Sequence, residues 1–407
     1  MSTTVIMHAR RRLLARVAVL ASLAACGAAG QEPQISFDPY KHVIWIPVRV
    51  NGGPVLNFAF DSAAAHSAID WDRAEKLKLP FTSLGERYGG SGDTMARIGE
   101  AKDLSLTLPG ASLQLPRLGV ASLRGVSESY GRRMDGLVGA ELFERYVVEL
   151  DWEQQSFRFH DPRQFRYSGK GTAVPLIVAG GMPFLRVQIS VPGVEPVEGI
   201  FLVDCPHPGT IIINRPFVEQ HGLLGAARKN LPRLATQYTE GVNGRSEVLY
   251  GRIPELKIGP YVLRQPVVGF SKAKGGALAA ENFHGILGAE ILRRFKVFVD
   301  YAREQIILEP KSSMAGAFDY DASGVRLRSI GDDFREHTVI GVVEDSPAAK
   351  AGLQEGDRLL EIGGKPADSL SLGEILHMLK REGETVELKL QRGTQSVEAK
   401  LALRQLI

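Results

Sequence analysis

The chain has 407 residues, of which 44% are hydrophobic and 23% are charged. This is the composition of a soluble globular protein, and the length indicates two or three domains rather than one core. Four arginines and no acidic residue lie in the first 25 positions, so the net charge of +3 becomes −1 for the rest of the chain. The basicity therefore belongs to the N-terminal segment, and the rest gives no indication of nucleic-acid binding.

The first 25 residues are predicted to form a signal peptide. A charged stretch, residues 8–12, precedes an apolar stretch, residues 13–25, that is too short to remain in a bilayer as a spanning helix. The apolar stretch ends in Leu23-Ala24-Ala25-Cys26-Gly27, which resembles a bacterial lipobox. That resemblance implies acylation of Cys26, which anchors a protein to a membrane without spanning it.

Ordinary secretory cleavage a few residues later, near residues 28–30, is the alternative. On either interpretation the mature protein is exported. We expect it in the cell envelope, anchored by lipid on the periplasmic side of a membrane or otherwise periplasmic or secreted. The only other cysteine is Cys205, so with Cys26 acylated the fold is expected to rely on its core and not on a disulfide.

After a polar tether, residues 27–40, the sequence becomes typical of β-strands. Residues 42–50 and 54–60 flank the glycine-rich turn that begins at Asn51-Gly52, and Asn-Gly between apolar runs predicts a hairpin. The second strand of that hairpin ends at Asp61, and small residues follow it. A carboxylate placed where a buried strand opens into such a turn is partly desolvated and approachable.

A second stretch of the chain has the same form. Asp204 follows the apolar run 199–203 and stands 143 residues after Asp61, and Thr210 stands where Ser67 stands in the first stretch. Two copies of one motif, each with one carboxylate, provide what an acid–base pair requires.

A glycine motif repeats in the same order. The stretch from Gly136 to Gly139 recurs 149 residues later from Gly285 to Gly288, each time as Gly-apolar-apolar-Gly before a predicted short helix. Because both copies keep register with the two aspartates, the pattern indicates a duplication with internal pseudo-symmetry.

These motifs resemble those of the aspartic proteases, specifically the retropepsin-like (pepsin-like) branch. The resemblance implies a mainly β fold in which two acid-protease barrels, residues 41–162 and 174–310, pack as a pseudo-dimer. It implies a catalytic dyad of Asp61 and Asp204 that requires no metal and no cofactor. The residues expected to support the two active-site turns are Ser62, Ala63, Cys205, Gly136, Gly139, Gly285 and Gly288.

The resemblance also implies a flap from each copy. A closing flap excludes water and orders the bound peptide. Tyr88-Gly89-Gly90-Ser91-Gly92 is the expected flap of the first copy, and residues 238–244 are its counterpart in the second. A plain surface loop is the alternative for the first stretch.

Both turns depart from the Asp-Thr/Ser-Gly pattern of that family. Ala63 replaces the glycine of the first turn, which is tolerable if its φ is negative and costly if its φ is positive. In the second turn Cys205 replaces a hydroxyl by a thiol, which is a weak hydrogen-bond donor. Pro206 removes a backbone N–H near Asp204, which predicts a raised pKa for that carboxyl group. Asp204 is then the member that holds the proton, or the second half is inactive.

After a linker, residues 311–320, the pattern changes. Residues 321–405 resemble a PDZ domain, most clearly in the stretch from Asp345 to Gly364. The family implies a groove between residues 324–328 and 372–380, where a peptide adds as a strand and backbone N–H groups hold its terminal carboxylate. The expected peptide-binding residues are Gly324, Val325, Arg326, Leu327, Ile375 and Leu379.

Two functions of different classes are consistent with these motifs. The first is an aspartic endopeptidase that hydrolyses peptides or proteins in the cell envelope through Asp61, Asp204 and an activated water, with the PDZ domain recruiting substrate. In a variant of this hypothesis, Asp61 pairs with Asp61 of a second chain. The second function is a catalytically inactive pseudoprotease that binds peptides through the old cleft and the PDZ groove, as Ala63, Cys205 and Pro206 suggest.

Two other constellations are weaker. Cys205 and His207 suggest a thiol nucleophile, but prolines flank His207 and no third orienting group is evident. His66 and His207 together with the two aspartates suggest a metal site, but no metal-ligand spacing supports it. We therefore predict no metal, no cofactor and no nucleic-acid partner, and the sequence does not indicate the oligomeric state.

Overall fold

The computed structural model describes residues 33–407, apart from residues 88, 89, 91, 94, 242 and 243. The predicted signal peptide and the predicted lipidation site, Cys26, lie outside the described residues. Among the helices that the structure describes, none is long and apolar enough to cross a membrane. The described residues are mainly β and form two barrels followed by a PDZ-like sheet, which confirms the predicted fold class.

The first copy is a closed six-stranded barrel. Its strands run in the order β2-β3-β8-β4-β7-β6, pairing of β2 with β6 closes the ring, and β5 adds to β6 on the outside. The predicted Asn-Gly turn joins β2 to β3. The elements are β1 (Ile35–Ser36), β2 (Trp45–Val50), β3 (Val55–Phe60), β4 (Ala68–Asp70), α1 (Trp71–Lys76), β5 (Phe81–Arg87), β6 (Ala96–Leu108), β7 (Ala111–Ala121), α2 (Arg124–Tyr130), β8 (Gly136–Val138), α3 (Ala140–Arg145), β9 (Val147–Asp151) and β10 (Ser156–His160).

The second copy repeats this barrel with two strands broken. The order β12-β13-β20-β14-β19-β16 matches the first copy, and β17 closes the ring on β12. Pro254 and Pro266 interrupt the strands that correspond to β6 and β7, because proline has no N–H for the ladder. The elements are β11 (Thr172–Ala179), β12 (Met182–Ser190), β13 (Val197–Asp204), β14 (Ile211–Ile213), α4 (Arg215–Gln220), α5 (Leu223–Asn230), β15 (Leu234–Gly241), β16 (Gly244–Arg252), β17 (Glu255–Ile258), β18 (Tyr261–Arg264), β19 (Val267–Ser271), β20 (Gly285–Gly288), α6 (Ala289–Leu292), β21 (Phe295–Asp300) and β22 (Gln305–Pro310).

A shared sheet joins the two copies, in the order β1-β10-β9-β21-β22-β11. At its centre β9 and β21 are antiparallel, and Glu149 lies opposite Phe298, which is its equivalent at the 149-residue offset of the glycine motif. The flanking pairs are Leu150 with Val297 and Val148 with Val299. At the offset of 149, Leu150 corresponds to Val299 and Val148 to Val297. Exchanging the two copies therefore turns each flanking pair into the other, as a two-fold interface requires. The pseudo-two-fold axis therefore passes through the pair Glu149–Phe298.

The C-terminal domain has its own sheet and its own apolar core. The strand order is β23-β24-β25-β27-β28, so β23 is an edge strand, and β26 pairs with β25. Its elements are β23 (Val325–Ile330), β24 (Glu336–Val342), α7 (Pro347–Lys350), β25 (Arg358–Ile362), β26 (Lys365–Pro366), α8 (Leu372–Met378), β27 (Thr385–Arg392) and β28 (Gln395–Ala402). Short 3-10 helices are Tyr40–His42, Ala277–Ala279, Tyr301–Arg303, Ser312–Ala315 and Ala367–Ser369.

The C-terminal domain packs directly against the first copy. The backbone N–H of Gly373, in α8, donates to the Tyr40 hydroxyl at 2.9 Å. Arg328, in β23, lies 3.7 Å from the carboxylate of Glu128 in α2. At the end of the chain, the buried Ile407 belongs to the same apolar cluster as the two barrels. The C-terminal domain and the two barrels thus pack together through these contacts.

Glu149 makes the shared sheet sensitive to acid. Its carboxylate lies 2.6 Å from Arg158, 2.8 Å from His160 and 2.8 Å from Lys296 of the second copy. Burial alone raises the pKa of Glu149, but these hydrogen bonds and charges lower it to about 2. A pKa below that of the unfolded chain stabilises the fold above about pH 4.5, and this stabilisation is lost as the pH falls toward 2.

We therefore expect Glu149→Gln to lower the free energy of unfolding by about 2–3 kcal/mol at pH 7 and by much less at pH 3. Urea unfolding at both pH values measures the difference. The matched control is Glu195→Gln, because Glu195 is exposed. An equal loss at pH 7 and pH 3 contradicts the role given to the carboxylate charge.

Candidate active site

Asp61 stands at the end of a buried strand. Phe58, Ala59 and Phe60 of β3 are fully buried, and β3 runs parallel to β8. The backbone N–H of Asp61 donates to the carbonyl of Val138 at 2.9 Å, which continues the ladder one residue further. The apolar strand therefore holds the backbone of Asp61, while its side chain reaches the turn and is partly exposed.

Asp204 stands at the equivalent place in the second copy. It is the last residue of β13, which runs parallel to β20 with Asp204 opposite Gly288. The preceding residues 201–203 are buried, and Asp204 itself is partly exposed. The structure thus gives both predicted aspartates the same position in their barrels.

The four predicted glycines pass close beside these turns. A Cβ on Gly139 would lie 2.7 Å from the carbonyl oxygen of Ala64, and one on Gly288 would lie 2.4 Å from that of Gly209. For Gly136 and Gly285 the corresponding distances to backbone oxygens are 2.5 Å and 2.2 Å. Any side chain at these positions would displace the backbone beside the dyad, which explains the repeated glycines.

The two turns are joined across the pseudo-two-fold axis by Ser62. Its buried hydroxyl donates to the carbonyl of Val203 at 2.6 Å and accepts from the backbone N–H of Cys205 at 3.1 Å. The Cys205 thiol lies 3.3 Å from the same hydroxyl. The serine thus makes the strong contacts, and the thiol that replaces the second hydroxyl adds a weak one.

Ala63 fits the first turn without strain. Its φ is not positive, so the methyl group meets none of the penalty of a left-handed backbone. Its backbone N–H donates to the Asp61 carboxylate at 2.9 Å, and its side chain packs against an apolar cluster of the second copy. Ala63 therefore has the backbone conformation in which alanine can replace the glycine of the family pattern.

The second turn has fewer donors for its carboxylate. Asp61 accepts hydrogen bonds from the backbone of Ala63 and Ala64. Asp204 accepts one from the backbone N–H of His207 at 3.0 Å. Pro206 stands at the position of Ala63 and has no N–H to donate. The sequence difference therefore becomes a difference of one hydrogen bond between two otherwise equivalent carboxylates.

This asymmetry separates the two pKa values. Burial raises the pKa of Asp61 to about 6, although its two backbone hydrogen bonds oppose the shift. Burial and then the charge of Asp61 raise the pKa of Asp204 well above its usual range, against a single backbone hydrogen bond. Two carboxyl groups that interact in this way hold one proton between them near neutral pH, and Asp204 is the one that keeps it.

Tyr130 is a neighbour that sequence reasoning missed. It ends α2, and its hydroxyl donates to the carbonyl of Pro206 at 2.7 Å, so the first copy supports the second turn. Burial and then the charges of Asp204 and Asp61 raise the pKa of Tyr130, which keeps its hydroxyl protonated. Residues 124–130 carry no recognisable motif, so no sequence signal marked this contact.

Ser67 connects the first turn to the helix behind it. Its hydroxyl donates to the Glu141 carboxylate at 2.8 Å and accepts from the N–H of Gly139 at 2.9 Å. Thr210, its counterpart, donates instead to the carbonyl of Val267. Ser67 and Thr210 thus occupy equivalent positions, as predicted, but their hydroxyl groups bind different partners.

The histidines and the thiol do not form a second catalytic group. Burial lowers the pKa of His207 to about 4 and raises the pKa of Cys205 to about 12, so both are neutral at physiological pH. His66 is exposed and lies 3.4 Å from Glu141. Within the part of the chain that the structure describes, no group of three His, Cys, Asp or Glu side chains could hold a metal ion.

The hairpin predicted as the first flap reaches the second copy. Strands β5 and β6 form it, and Tyr88, Gly89 and Ser91 at its tip lie outside the described residues. The backbone N–H of Ala277 donates to the Gly90 carbonyl at 2.8 Å. Asp93 accepts hydrogen bonds from the Ser246 hydroxyl at 2.8 Å and from two backbone N–H groups, those of residues 274 and 275. These contacts join the hairpin to the opposite copy.

The counterpart hairpin consists of β15 and β16, and residues 242 and 243 at its tip are outside the described part.

The predicted peptide-binding residues of the PDZ domain lie partly in its core and partly at its surface. Leu327, Ile375 and Leu379 are buried in the core of that domain. Arg326 is half-buried, and its guanidinium lies 5.2 Å from the centre of the Tyr238 ring in β15.

Comparison with known proteins agrees with both kinds of domain. A family model described as aspartyl protease matches residues 46–142, and one described as PDZ domain matches residues 338–392. The chain therefore carries a retropepsin-like aspartyl protease domain and a C-terminal PDZ domain. The first match covers one copy, and the equivalence of the second copy rests on its barrel and its register.

The curated relatives share only a short stretch with this chain. "Serine protease HTRA1" of Xenopus tropicalis is 39% identical over 69 residues, 16% of this chain and 15% of the relative. "Probable CtpA-like serine protease" of Staphylococcus haemolyticus is 37% identical over 90 residues, 21% of this chain and 18% of the relative. The chain thus spans less than a fifth of the curated relatives that it matches.

A solved structure of the HtrA3 PDZ domain bound to a phage-derived ligand is 22% identical to this chain. The match covers 21% of this chain and 88% of the HtrA3 PDZ chain. The TM-score of that pair is 0.19, so the likeness carries no argument about function.

Ser62 provides a test of the contact between the turns. Ser62→Ala removes the partner of two buried backbone groups, and we expect a loss of roughly 1–3 kcal/mol in the free energy of unfolding. Urea unfolding measures the loss, with Ser396→Ala as the control because Ser396 is exposed in β28. A Ser62→Ala protein as stable as the control would show that the hydroxyl does not hold the turns together.

Proposed function

We propose that this protein is an aspartic endopeptidase of the cell envelope that hydrolyses peptide bonds through Asp61, Asp204 and an activated water. The observation that carries the proposal is the meeting of two equivalent strand ends, each with one carboxylate, through the Ser62 hydroxyl. Pairing within one chain is favoured over pairing with a second chain, because the Ser62 hydroxyl joins the two turns of the same chain.

The unequal pKa values assign a role to each carboxyl group. Ionised Asp61 takes a proton from the water, whose oxygen attacks the carbonyl carbon of the peptide bond. Protonated Asp204 gives its proton to the carbonyl oxygen, and a tetrahedral diol forms. Asp61 then returns its proton to the leaving nitrogen while Asp204 takes one from a diol hydroxyl, and the C–N bond breaks. The cycle restores both groups and forms no covalent intermediate.

The remaining parts of the chain support action on exported peptides or proteins. The N-terminal segment has the pattern of a secretory signal with a lipobox, so we place the protein in the cell envelope, anchored through Cys26. The PDZ domain supports peptide binding, and we propose that it recruits or positions substrate. The relatives are named serine proteases, so they support proteolysis in general and not its aspartic type.

A peptide-binding pseudoprotease is the second candidate. The observation in its favour is the weaker second turn, where Asp204 accepts one backbone hydrogen bond and Cys205 replaces a hydroxyl. In this case the cleft binds peptides without turnover, and substitution of either aspartate changes affinity alone.

The dyad predicts both a mutational pattern and a pH profile. Asp61→Asn and Asp204→Asn should each lower kcat/KM on a mixed peptide library by about a thousandfold or more, since each removes one half of the acid–base pair. In the native protein kcat/KM should rise with pH around a midpoint near 6, because Asp61 must lose its proton to act as the base. It should fall again at higher pH, when Asp204 loses its proton.

Cleavage of the library by the mature protein across pH 3 to 8 measures both effects. Asp72→Asn is the matched control, because Asp72 is exposed on α1. Activity that survives Asp204→Asn but not Asp61→Asn would favour pairing between chains. Absence of cleavage by the folded native protein at every pH would leave the pseudoprotease as the function.

In this mechanism Pro206 influences the pH at which kcat/KM falls on the alkaline side of the profile, which we call the alkaline limb. Pro206→Ala restores a backbone N–H toward Asp204, and a hydrogen bond to the ionised carboxylate lowers its pKa. We expect the alkaline limb of the kcat/KM profile to move down by roughly one pH unit while the acidic limb stays near 6. Pro208→Ala, two residues further on, is the control. An unchanged alkaline limb in Pro206→Ala would show that the missing N–H does not set the pKa of Asp204.

A further inference from the structure

The loop that leads into β23 is built differently from a receptor for a chain terminus. A peptide that adds to a PDZ edge strand places its terminal carboxylate on successive backbone N–H groups at the start of that strand. In this domain the corresponding groups belong to Ser323, Gly324 and Val325, which enter β23 beside α8.

All three of these N–H groups already have an acceptor within the loop. The Asp321 carboxylate accepts from the N–H of Ser323 at 2.9 Å and from that of Gly324 at 2.7 Å. The Ser323 hydroxyl accepts from the N–H of Val325 at 3.0 Å and donates to Asp321 at 2.7 Å. A carboxylate of the chain itself thus occupies the place of a ligand's terminal carboxylate.

An incoming chain terminus meets two obstacles at this loop. Its carboxylate finds no donor, because each N–H is directed at Asp321 or at the Ser323 hydroxyl. The terminal carboxylate would also lie close to the Asp321 carboxylate, and two like charges in close contact repel each other. A neutral peptide backbone meets neither obstacle.

The strand that follows the loop can still pair with a peptide. β23 is an edge strand, and its other side pairs with β24 in antiparallel register. In an antiparallel strand alternate residues direct their N–H and C=O groups away from the partner. The outer edge of β23 therefore presents main-chain donors and acceptors over the part that α2 does not cover.

The first copy closes the far end of the same groove. A Cβ on Gly131 would lie 2.5 Å from the Cβ of Leu372 in α8 and 3.0 Å from the hydroxyl oxygen of Ser329 in β23. One turn earlier in α2, Glu128 lies 3.7 Å from Arg328. The stretch of edge between the loop and Gly131 is therefore short, and a bound segment must leave the groove at both ends.

We propose that the PDZ groove of this protein binds a short, extended internal segment of a polypeptide and does not capture a free C-terminus. This rests on the peptide-binding role proposed above for the domain and names its class of partner. Main-chain pairing with β23 provides the affinity, and the occupied loop excludes the terminal carboxylate.

The test uses the full mature chain carrying Asp61→Asn, so that no peptide is cleaved. Two phage libraries of random peptides serve as probes, one displayed at a free C-terminus and one displayed between folded flanks. The selected sequences are then synthesised as matched pairs that end in a carboxylic acid or in an amide. Fluorescence anisotropy measures each Kd, and hydrogen exchange locates the protected residues.

We expect peptides from internal display to protect residues 325–328, the part of β23 that precedes the contact with Gly131. The acid and the amide of each pair should bind within about twofold of each other. Asp321→Ala frees two N–H groups and should bind the acid at least about tenfold more tightly than the amide, a difference of one hydrogen bond to a charged group. Asp319→Ala, whose side chain is exposed two residues earlier, should behave as the native protein.

Three results would overturn the proposal. They are a native preference for the acid by tenfold or more, protection that omits β23, and no selected peptide from either library. If Asp321→Ala does not fold, the comparison of acid and amide in the native chain decides by itself. Cleavage by the Asp61–Asp204 dyad is measured independently, so failure of the groove proposal and failure of the protease proposal remain distinguishable.

Discussion

The structure depends on one buried hydroxyl, that of Ser62, at the place where the two copies meet. It donates to the carbonyl of Val203 and accepts from the N–H of Cys205, the residues on either side of Asp204. In a symmetric pair two hydroxyls share this task, but here the second is the Cys205 thiol, which forms only a weak hydrogen bond with the Ser62 hydroxyl. The geometry of the dyad is therefore fixed mainly from one side, with the shared sheet around Glu149 and Phe298 holding the copies in register.

Pseudo-symmetry of the backbone allows the two carboxyl groups to differ in chemistry. Both end a buried strand beside a Gly-apolar-apolar-Gly stretch, so their burial is alike. They differ by one N–H, because Pro206 stands where Ala63 stands. Since burial raises both pKa values and hydrogen bonds oppose the rise, the member with fewer donors keeps the proton. In the proposed mechanism, this departure from the family pattern makes Asp204 the acid and Asp61 the base.

Much of this architecture could be predicted because the duplication left local signals. The apolar runs before Asp61 and Asp204 and the paired glycines fixed the strand ends, and the Asn51-Gly52 turn fixed a hairpin. The contacts of Tyr130 and Asp93 could not be predicted, since each joins residues far apart in the sequence and neither side chain belongs to a repeated pattern. The sign of φ at Ala63 could not be predicted either, because both signs are compatible with the same residues.

One of the contacts between the PDZ domain and the two barrels involves two consecutive residues. Gly131 lies between β23 and α8, and Tyr130 donates its hydroxyl to Pro206 beside Asp204. Adjacent Cα atoms are about 3.8 Å apart, so neither residue can move far without the other. Gly131 ends α2 with a φ of 67°, a left-handed conformation that favours glycine and gives this segment its sharp turn from the catalytic cleft toward the PDZ groove. A segment added along β23 therefore approaches α2, whose last residue supports the turn that carries Asp204.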